Sequence, residues 1–317
     1  GYTACFRLLK QGGKKVFTFL LVAIVMVCLQ DVVGAALAKV FGWDMRLGLC
    51  TGSIPMVGGH GTAGSYGPLM ENELGIEGAN VLAIAAATFG LVSGSLMGGP
   101  TARPIINRYG LTSTESEDEI RESDEDKAKA ERVDADAFTN AAILLIVASG
   151  AGTVLTTLLN NIHFGQFKLT FPTYIGAMLV AAVIRNFCDA KHFVLPAKAI
   201  DLWGNVSLSI FLAIALMTLK LWQLASLAVP MIVMLAAQVV LMFVFARFVV
   251  FNIMGRDYEA AVMTSAFCGF GMGATPNAMA NMQVLTKRYG PAPQAYFIVP
   301  LVGSLFIDFF NGIIITA

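Results

Sequence analysis

Long runs of apolar residues, separated by short polar stretches, are the dominant pattern along this chain. A helix needs roughly 20 predominantly apolar residues to cross a bilayer, and seven runs approach or exceed that length. They are Val16–Ala38, Asn80–Met97, Phe138–Leu159, Phe171–Ile184, Ser207–Leu219, Leu227–Ile253 and Ala295–Ala317. The fourth and fifth runs are short at their apolar centres and are expected to extend into flanking polar residues. The pattern predicts an all-α, polytopic membrane protein.

Composition strengthens this prediction. Hydrophobic residues make up 56% of the chain and charged residues 13%, whereas a soluble domain carries about 25% charged residues. The mean hydropathy is +0.71. These values disfavour a large soluble α/β enzyme. The net charge of zero offers no basic surface for nucleic acid, and the five cysteines form no CxxC pair that would indicate a zinc site.

One segment, Thr112–Asp136, is dense in charges of both signs. Such a segment is typical of a solvated loop or a short charged helix. It predicts a cytoplasmic linker at 111–137 that divides the chain into a first part, 1–110, and a second part, 138–317.

A similar order of features recurs on both sides of this linker. A long span is followed by a Gly-x-Asp triplet, by a glycine cluster and by a final span. The triplets are Gly42-Trp43-Asp44 and Gly255-Arg256-Asp257, and the clusters lie at 58–62 and 269–275. Internal repeats are typical of secondary transporters. We predict two glycine-rich hairpins, at 45–70 and 258–283, which are either re-entrant or broken helices that cross fully.

The lysine and arginine positions favour re-entrant hairpins. If the two segments are re-entrant, nearly every basic cluster is cytoplasmic, as the positive-inside rule requires. This includes the N-terminal basic residues and the linker. With full crossings, several basic residues would move outside: Arg103, Arg108, Arg185, Lys191, Arg247 and Arg256. Re-entrant hairpins also make the two parts inverted repeats. The second part has three spans before its long span and the first has none, so we expect about three N-terminal spans to be missing from this chain.

The glycine clusters also suggest a chemistry. Non-helical backbone survives at membrane depth only when it is buried in protein or lines a wet cavity, and glycine lets a helix break there. Broken helix ends expose N–H groups that attract carboxylates and carbonyls that bind sodium. We therefore expect the two clusters to meet near the midplane and to hold an anionic amino acid and sodium. The alternative is that small residues only let helices pack closely.

Several residues are candidates for these contacts. The substrate-binding candidates are Gly59, His60, Gly61, Thr62, Gly271, Gly273, Thr275 and Asn277. His60 also has a simpler interpretation, a packed and hydrogen-bonded histidine. Asp308 lies mid-span, where a charge costs about 2.5–3.5 kcal/mol and usually faces a functional cavity. It is a candidate for a cation site or for the ammonium group of the substrate, and together with Asn311 and Ser93 it is a candidate for sodium. Asp31 lies near the end of its span, where it can reach the interface.

Several long segments together resemble one family. They are Gly58–Ala63, Ala86–Gly99, Gly204–Ala213, Leu219–Leu224 and Cys268–Gln283, and they resemble the bacterial sodium/glutamate symporter family over nearly the whole chain. The resemblance implies two inverted halves of five spans and one hairpin each, a homodimer in the bacterial inner membrane, and inward transport of L-glutamate. Sodium would be the coupling ion, with no other cofactor and no enzymatic activity.

Three other functions stay open at this point. The chain could be a sodium-coupled transporter of another organic anion, such as a dicarboxylate or a citrate-like anion. It could be an intramembrane hydrolase that uses His60 with Ser65, although neither residue has an evident third catalytic partner. It could also be a passive channel.

Overall fold

The computed structural model describes residues 2, 6–113, 134–161, 163–164, 167–168, 171–191, 193–218 and 221–316. Most of the described chain is helical. The helices are α1 Phe6–Val40, α2 Ser53–Met56, α3 Gly59–Asn72, α4 Ala79–Tyr109, α5 Ala135–Asn160, α6 Thr173–Ala190, α7 Ala197–Thr218, α8 Leu221–Phe245, α9 Phe251–Met254, α10 Tyr258–Met272, α11 Thr275–Tyr289, α12 Pro293–Leu301 and α13 Ile307–Thr316. The interior of the charged linker, 114–133, lies outside the described residues, and so does the prediction made for it.

Shorter elements complete the chain. A 3-10 helix, Met45–Thr51, precedes α2. Two π-helical turns, Ala246–Val250 and Val302–Phe306, join α8 to α9 and α12 to α13 without a break in helical backbone. A pair of two-residue antiparallel strands lies between α5 and α6: β1, His163–Phe164, and β2, Phe167–Lys168.

Five helices in the described part of the chain are long and apolar enough to cross a membrane. They are Gly13–Val40, Ala79–Tyr109, Ala135–Asn160, Thr173–Ala190 and Leu227–Met254. The predicted class, an all-α integral membrane protein, is confirmed at this level. The short runs do extend into polar flanks: α6 continues to Ala190 and α7 begins at Ala197.

The contacts divide the chain into two compact units. The first unit comprises Gly1–Gln11, Ser116–Met217 and Thr316–Ala317, and its helices are α5, α6 and α7. In it, α5 and α6 cross at two glycines, since a Cβ on Gly152 would overlap the backbone of Ala177 and one on Gly176 would overlap Gly152 O. The close approach of small residues is a common way to pack membrane helices.

The second unit comprises Gly12–Glu115 and Thr218–Ile315, and it contains both glycine-rich segments. Each segment starts at the aspartate of a Gly-x-Asp triplet. Asp44 Oδ1 accepts a hydrogen bond from Arg46 N (2.8 Å) and Asp257 Oδ1 accepts one from Ala260 N (2.7 Å), so both aspartates cap the helix that follows. Hydrogen bonds from the exposed Arg46 lower the pKa of Asp44.

Both segments in the second unit are a helix, a break and another helix. In the first, α2 ends at Met56 and α3 begins at Gly59, whose φ is +60°. In the second, α10 ends at Met272 and α11 begins at Thr275, with Gly273 and an extended Ala274 between them. Both breaks fall inside the ranges predicted for the hairpins.

Candidate functional site

The breaks of the two glycine-rich segments touch each other. A Cβ on Gly59 would lie 2.6 Å from Gly273 O, which is closer than real Cβ atoms approach. The positive φ of Gly59 is a conformation that only glycine adopts at low cost. Two helix breaks from opposite halves of the sequence therefore meet at a point where neither backbone carries a side chain.

Three glycines of α4 make room for the second segment. Gly90, Gly94 and Gly98 are four residues apart and so share one face of the helix. A Cβ on Gly90 would overlap Met272 O, and one on Gly94 would lie 2.9 Å from Cys268 O. At Gly98 a Cβ would overlap the side-chain amide of Asn281. This glycine face places α10 and α11 directly against the backbone of α4.

Polar side chains of α11 hold the second break in position. Thr275 Oγ1 donates to Gly303 O (2.8 Å), which lies in the π-helical turn between α12 and α13. Asn277 Nδ2 donates to Leu91 O of α4 (2.8 Å). These bonds use the side-chain donors, so the Asn277 Oδ1 atom is left as an acceptor beside the break. Both side chains are partly exposed.

The other substrate-binding candidates lie around the same point. Gly271 O accepts a hydrogen bond from Gln30 Nε2 (2.8 Å). Thr62 is buried against Gly58, and a Cβ on Gly61 would meet no atom within 4 Å. Gly61 therefore faces open space in the first turn of α3, two residues from the contact at Gly59.

His60 and Ser65 do not form a catalytic pair. His60 Nε2 lies 3.0 Å from Thr88 Oγ1, and Ser65 Oγ donates to Gly61 O (2.9 Å). His60 is buried and its hydrogen bond links α3 to α4, as the simpler interpretation expects, and its contact with substrate stays a prediction. The hydroxyl proton that a serine nucleophile would give to a histidine is already committed to a backbone carbonyl.

The three sodium candidates are not brought together by hydrogen bonds. Asn311 is buried, and its Nδ2 donates to Ser53 O (3.3 Å). Asp308, on the same helix α13, is partly exposed and forms no hydrogen bond with another described residue. Ser93, on α4, is also partly exposed, and within the described chain no hydrogen bond joins it to either of them. The structure connects Asn311 to the first glycine-rich segment instead.

Asp31 corrects the sequence interpretation. We expected it to reach the interface, but the side chain is only 8% exposed. Asp31 Oδ1 accepts from Ser53 N (2.8 Å) and Oδ2 accepts from Ser53 Oγ (2.9 Å). The reason is that the first glycine-rich segment folds back over α1, where a Cβ on Gly52 would lie 2.7 Å from Asp31 Oδ1. Asp31 is therefore enclosed by the segment that follows its own helix.

Two buried glutamines were also missed. Gln30 Nε2 donates to Gly271 O, and Gln238 Nε2 of α8 donates to Gln30 O (2.8 Å). Both glutamines are 0% exposed. Neighbouring residues of α1 thus contact both glycine-rich segments, Gln30 the second and Asp31 the first. The sequence held a signal for this, since Gln30-Asp31 is a polar pair inside a long apolar run.

We expect that replacing Asn281 with alanine destabilises the second unit. Asn281 is buried, and its Nδ2 donates to Gly94 O (3.0 Å) and Ser265 O (3.2 Å), which joins α11 to both α4 and α10. Loss of these bonds and of packed volume should lower the free energy of unfolding by about 1–3 kcal/mol, measured as a lower melting temperature in detergent. Gln283→Ala, at an exposed position of the same helix, is the control. Equal melting temperatures for the two variants would contradict this role.

Comparisons with known proteins agree on one family. A family model described as "Sodium/glutamate symporter" matches residues 1–291. The chain is 38% identical to a sodium/glutamate symporter of Haemophilus influenzae over 316 residues, which covers 98% of this chain and 77% of that protein. It is 37% identical to the sodium/glutamate symporter of Escherichia coli over 317 residues, covering 99% of this chain and 78% of that protein. A relative with the same name from Shigella flexneri has the same identity and coverage.

Proposed function

The chain belongs to the sodium/glutamate symporter family, and from this premise we propose that it carries L-glutamate into the cell together with sodium by alternating access. It does so as a multi-pass protein of the bacterial inner membrane, and the family resemblance adds that it works as a homodimer. The inward sodium gradient provides the driving force for uptake, and each net positive charge that moves inward adds about 2.3 kcal/mol per 100 mV of membrane potential.

The contact between Gly59 and Gly273 is the structural observation that supports this function best. Two helix breaks that meet provide helix N-terminal N–H groups for a carboxylate and C-terminal carbonyls for a cation. Substrate at this point would be close to Thr275, Asn277 and the open side of Gly61. Both ends of an amino acid could then be bound largely by backbone groups that the glycines leave accessible.

We further propose that both glycine-rich segments are re-entrant hairpins. The two arms of the second segment pack against each other, since a Cβ on Gly269 would lie 2.6 Å from Ala278 N and Asn281 bonds to Ser265 O across the arms. A segment that turns back on itself returns the chain to the side from which it entered. This geometry suits the distribution of lysine and arginine better than two full crossings do.

Uptake of radiolabelled L-glutamate into proteoliposomes tests the proposed function. We expect an inward sodium gradient to drive accumulation above equilibrium, and a matched choline gradient to drive none. Accumulation also separates coupled transport from passive flow, which stops at equilibrium. Inhibition by unlabelled glutamate but not by succinate or citrate would establish the substrate. Sodium-driven uptake that only succinate or citrate inhibits would assign the site to another organic anion.

A further inference from the structure

The carboxylate of Asp31 is buried in an unusual setting. It lies in the apolar span Gly13–Val40 with 8% of its side chain exposed. No ion pair within the described residues includes Asp31. A buried charge without a counter-charge costs several kcal/mol, and charged groups inside membrane spans usually mark an ion or substrate pathway. The two hydrogen bonds from Ser53 compensate only part of this cost.

A second observation points to the same place. Asn311 is 1% exposed, and its Nδ2 donates to the backbone carbonyl of Ser53. Ser53 is the residue that also bonds Asp31. The other end of that amide, Asn311 Oδ1, is a buried acceptor with no donor in the described structure. Buried acceptors are nearly always satisfied, and an exception calls for an explanation such as an ion. Asn311 Oδ1, an acceptor without a donor, and the Asp31 carboxylate, an anion without a counter-charge, thus belong to two side chains that both bond Ser53. A bound cation would satisfy both groups.

The chemistry of the group defines the cation. The candidate ligands are all oxygens: the Asp31 carboxylate, the lone pairs of Ser53 Oγ and the amide oxygen of Asn311. Such ligands suit hard cations. A group with one carboxylate and otherwise neutral oxygens carries one negative charge and therefore suits a monovalent ion better than a divalent one. Among the described residues no group of three or more His, Cys, Asp or Glu could hold a metal ion.

We propose that Asp31, Ser53 and Asn311 form a sodium site, with Asp31 as its anionic ligand. The proposal rests on the proposed sodium-coupled function and names where one coupling ion binds. The site joins three elements: α1 through Asp31, the first glycine-rich segment through Ser53 and the last helix through Asn311. Because α2 leads from Ser53 directly to the break at Gly59, sodium would fix the end of that segment that leads to the proposed substrate site.

Sodium binding can be measured without transport. The melting temperature of the purified protein is followed against NaCl, with choline chloride keeping the ionic strength constant and no glutamate present. A ligand that binds the folded state raises the melting temperature as its concentration rises, and we expect this for sodium and not for potassium. In both Asp31→Asn and Asn311→Ala, the sodium concentration that gives a fixed rise in melting temperature should be at least about tenfold higher than for the wild type, since even partners outside the ligand shell change metal affinity by roughly 10–100-fold.

The variants separate binding from folding. Asn at position 31 can still accept the bond from Ser53 N, so Asp31→Asn is expected to keep the fold. Asp44→Asn is the matched control, because Asp44 caps the start of the same segment at an exposed position; its sodium dependence should equal that of the wild type. If the melting temperatures of both Asp31→Asn and Asn311→Ala depended on sodium concentration as that of the wild type does, with sodium-driven uptake intact, the site alone would be overturned. A wild-type protein without sodium-dependent stabilisation or uptake would instead overturn the proposed function.

Discussion

Replacing Gly59 with alanine is expected to abolish uptake and to destabilise the protein strongly. The φ of +60° costs an L-residue roughly 1–2 kcal/mol. The new methyl group would also lie 2.6 Å from Gly273 O, a backbone atom that can move only with its whole segment. Such overpacking costs about 1–3 kcal/mol more. The sum, roughly 2–5 kcal/mol, should appear as a large fall in melting temperature.

Gly61→Ala is the matched control for this change. It lies two residues away in the same helix, and its Cβ would meet no atom within 4 Å. Alanine at a helical position that permits it is as stable as glycine or better by up to about 1 kcal/mol. The control applies to melting temperature, because Gly61 is itself a candidate for substrate contact. If Gly59→Ala melted and transported like the wild type, the two breaks would not meet as described.

The positions of the helix breaks were predictable from sequence because their cause is local. Glycine clusters in apolar runs break helices wherever they occur, and an aspartate before a helix caps it through a bond to a nearby N–H. The breaks at Gly59 and Gly273 and the caps at Asp44 and Asp257 follow from these rules. The helices themselves extend further than the apolar runs: α4 continues past Pro100 to Tyr109. Hydropathy detects the part of a helix in contact with lipid and not its polar ends.

The partners of individual side chains were not predictable in the same way. Gln30 and Gly271 are 241 positions apart in the sequence, and Asn311 and Ser53 are 258 apart. No local pattern specifies such pairs. Asp31 shows the consequence, since its place near the end of a hydropathy run indicated the interface. Its real environment is set by a later segment, which packs on α1 where Gly34 and Gly48 let the two backbones approach.

The alternative that small residues only promote packing is partly right. Gly90, Gly94 and Gly98 of α4 do serve close packing, since each faces an atom of α10 or α11. Gly59 and Gly61 differ from them. Glycine is required at position 59 by its φ and by its contact with the second break, whereas Gly61 faces open space. Glycines of the two kinds stand in similar sequence surroundings, and only their three-dimensional neighbours separate them.

The second large effect is expected for Asn277→Asp. This change replaces a neutral amide beside the second break with a carboxylate of nearly the same shape. Asn277 lies in the first turn of α11, where an acidic side chain is favourable to the helix dipole. The bond to Leu91 O is lost, at a cost of about 1 kcal/mol. The protein should therefore fold with a melting temperature close to that of the wild type.

Transport by Asn277→Asp should nevertheless fall steeply. If the site binds a carboxylate of glutamate, a second negative charge about 4 Å away opposes binding by up to about 4 kcal/mol at an effective dielectric constant of about 20. We expect the KM for glutamate to rise by about 100-fold or more, since each 1.4 kcal/mol is about tenfold. The measurement is initial uptake against glutamate concentration at a fixed sodium gradient.

Two further variants identify the cause of that loss. Gln283→Glu makes the same change of charge at an exposed position of α11, so its KM should stay within about twofold of the wild type if the effect falls off with distance and screening. Asn277→Ala removes the amide without adding charge and should raise the KM less than Asn277→Asp does. Equal KM values for Asn277→Asp and the wild type would place the substrate carboxylates away from α11. They would direct attention to the first break, where His60 and the open face at Gly61 are the remaining contacts.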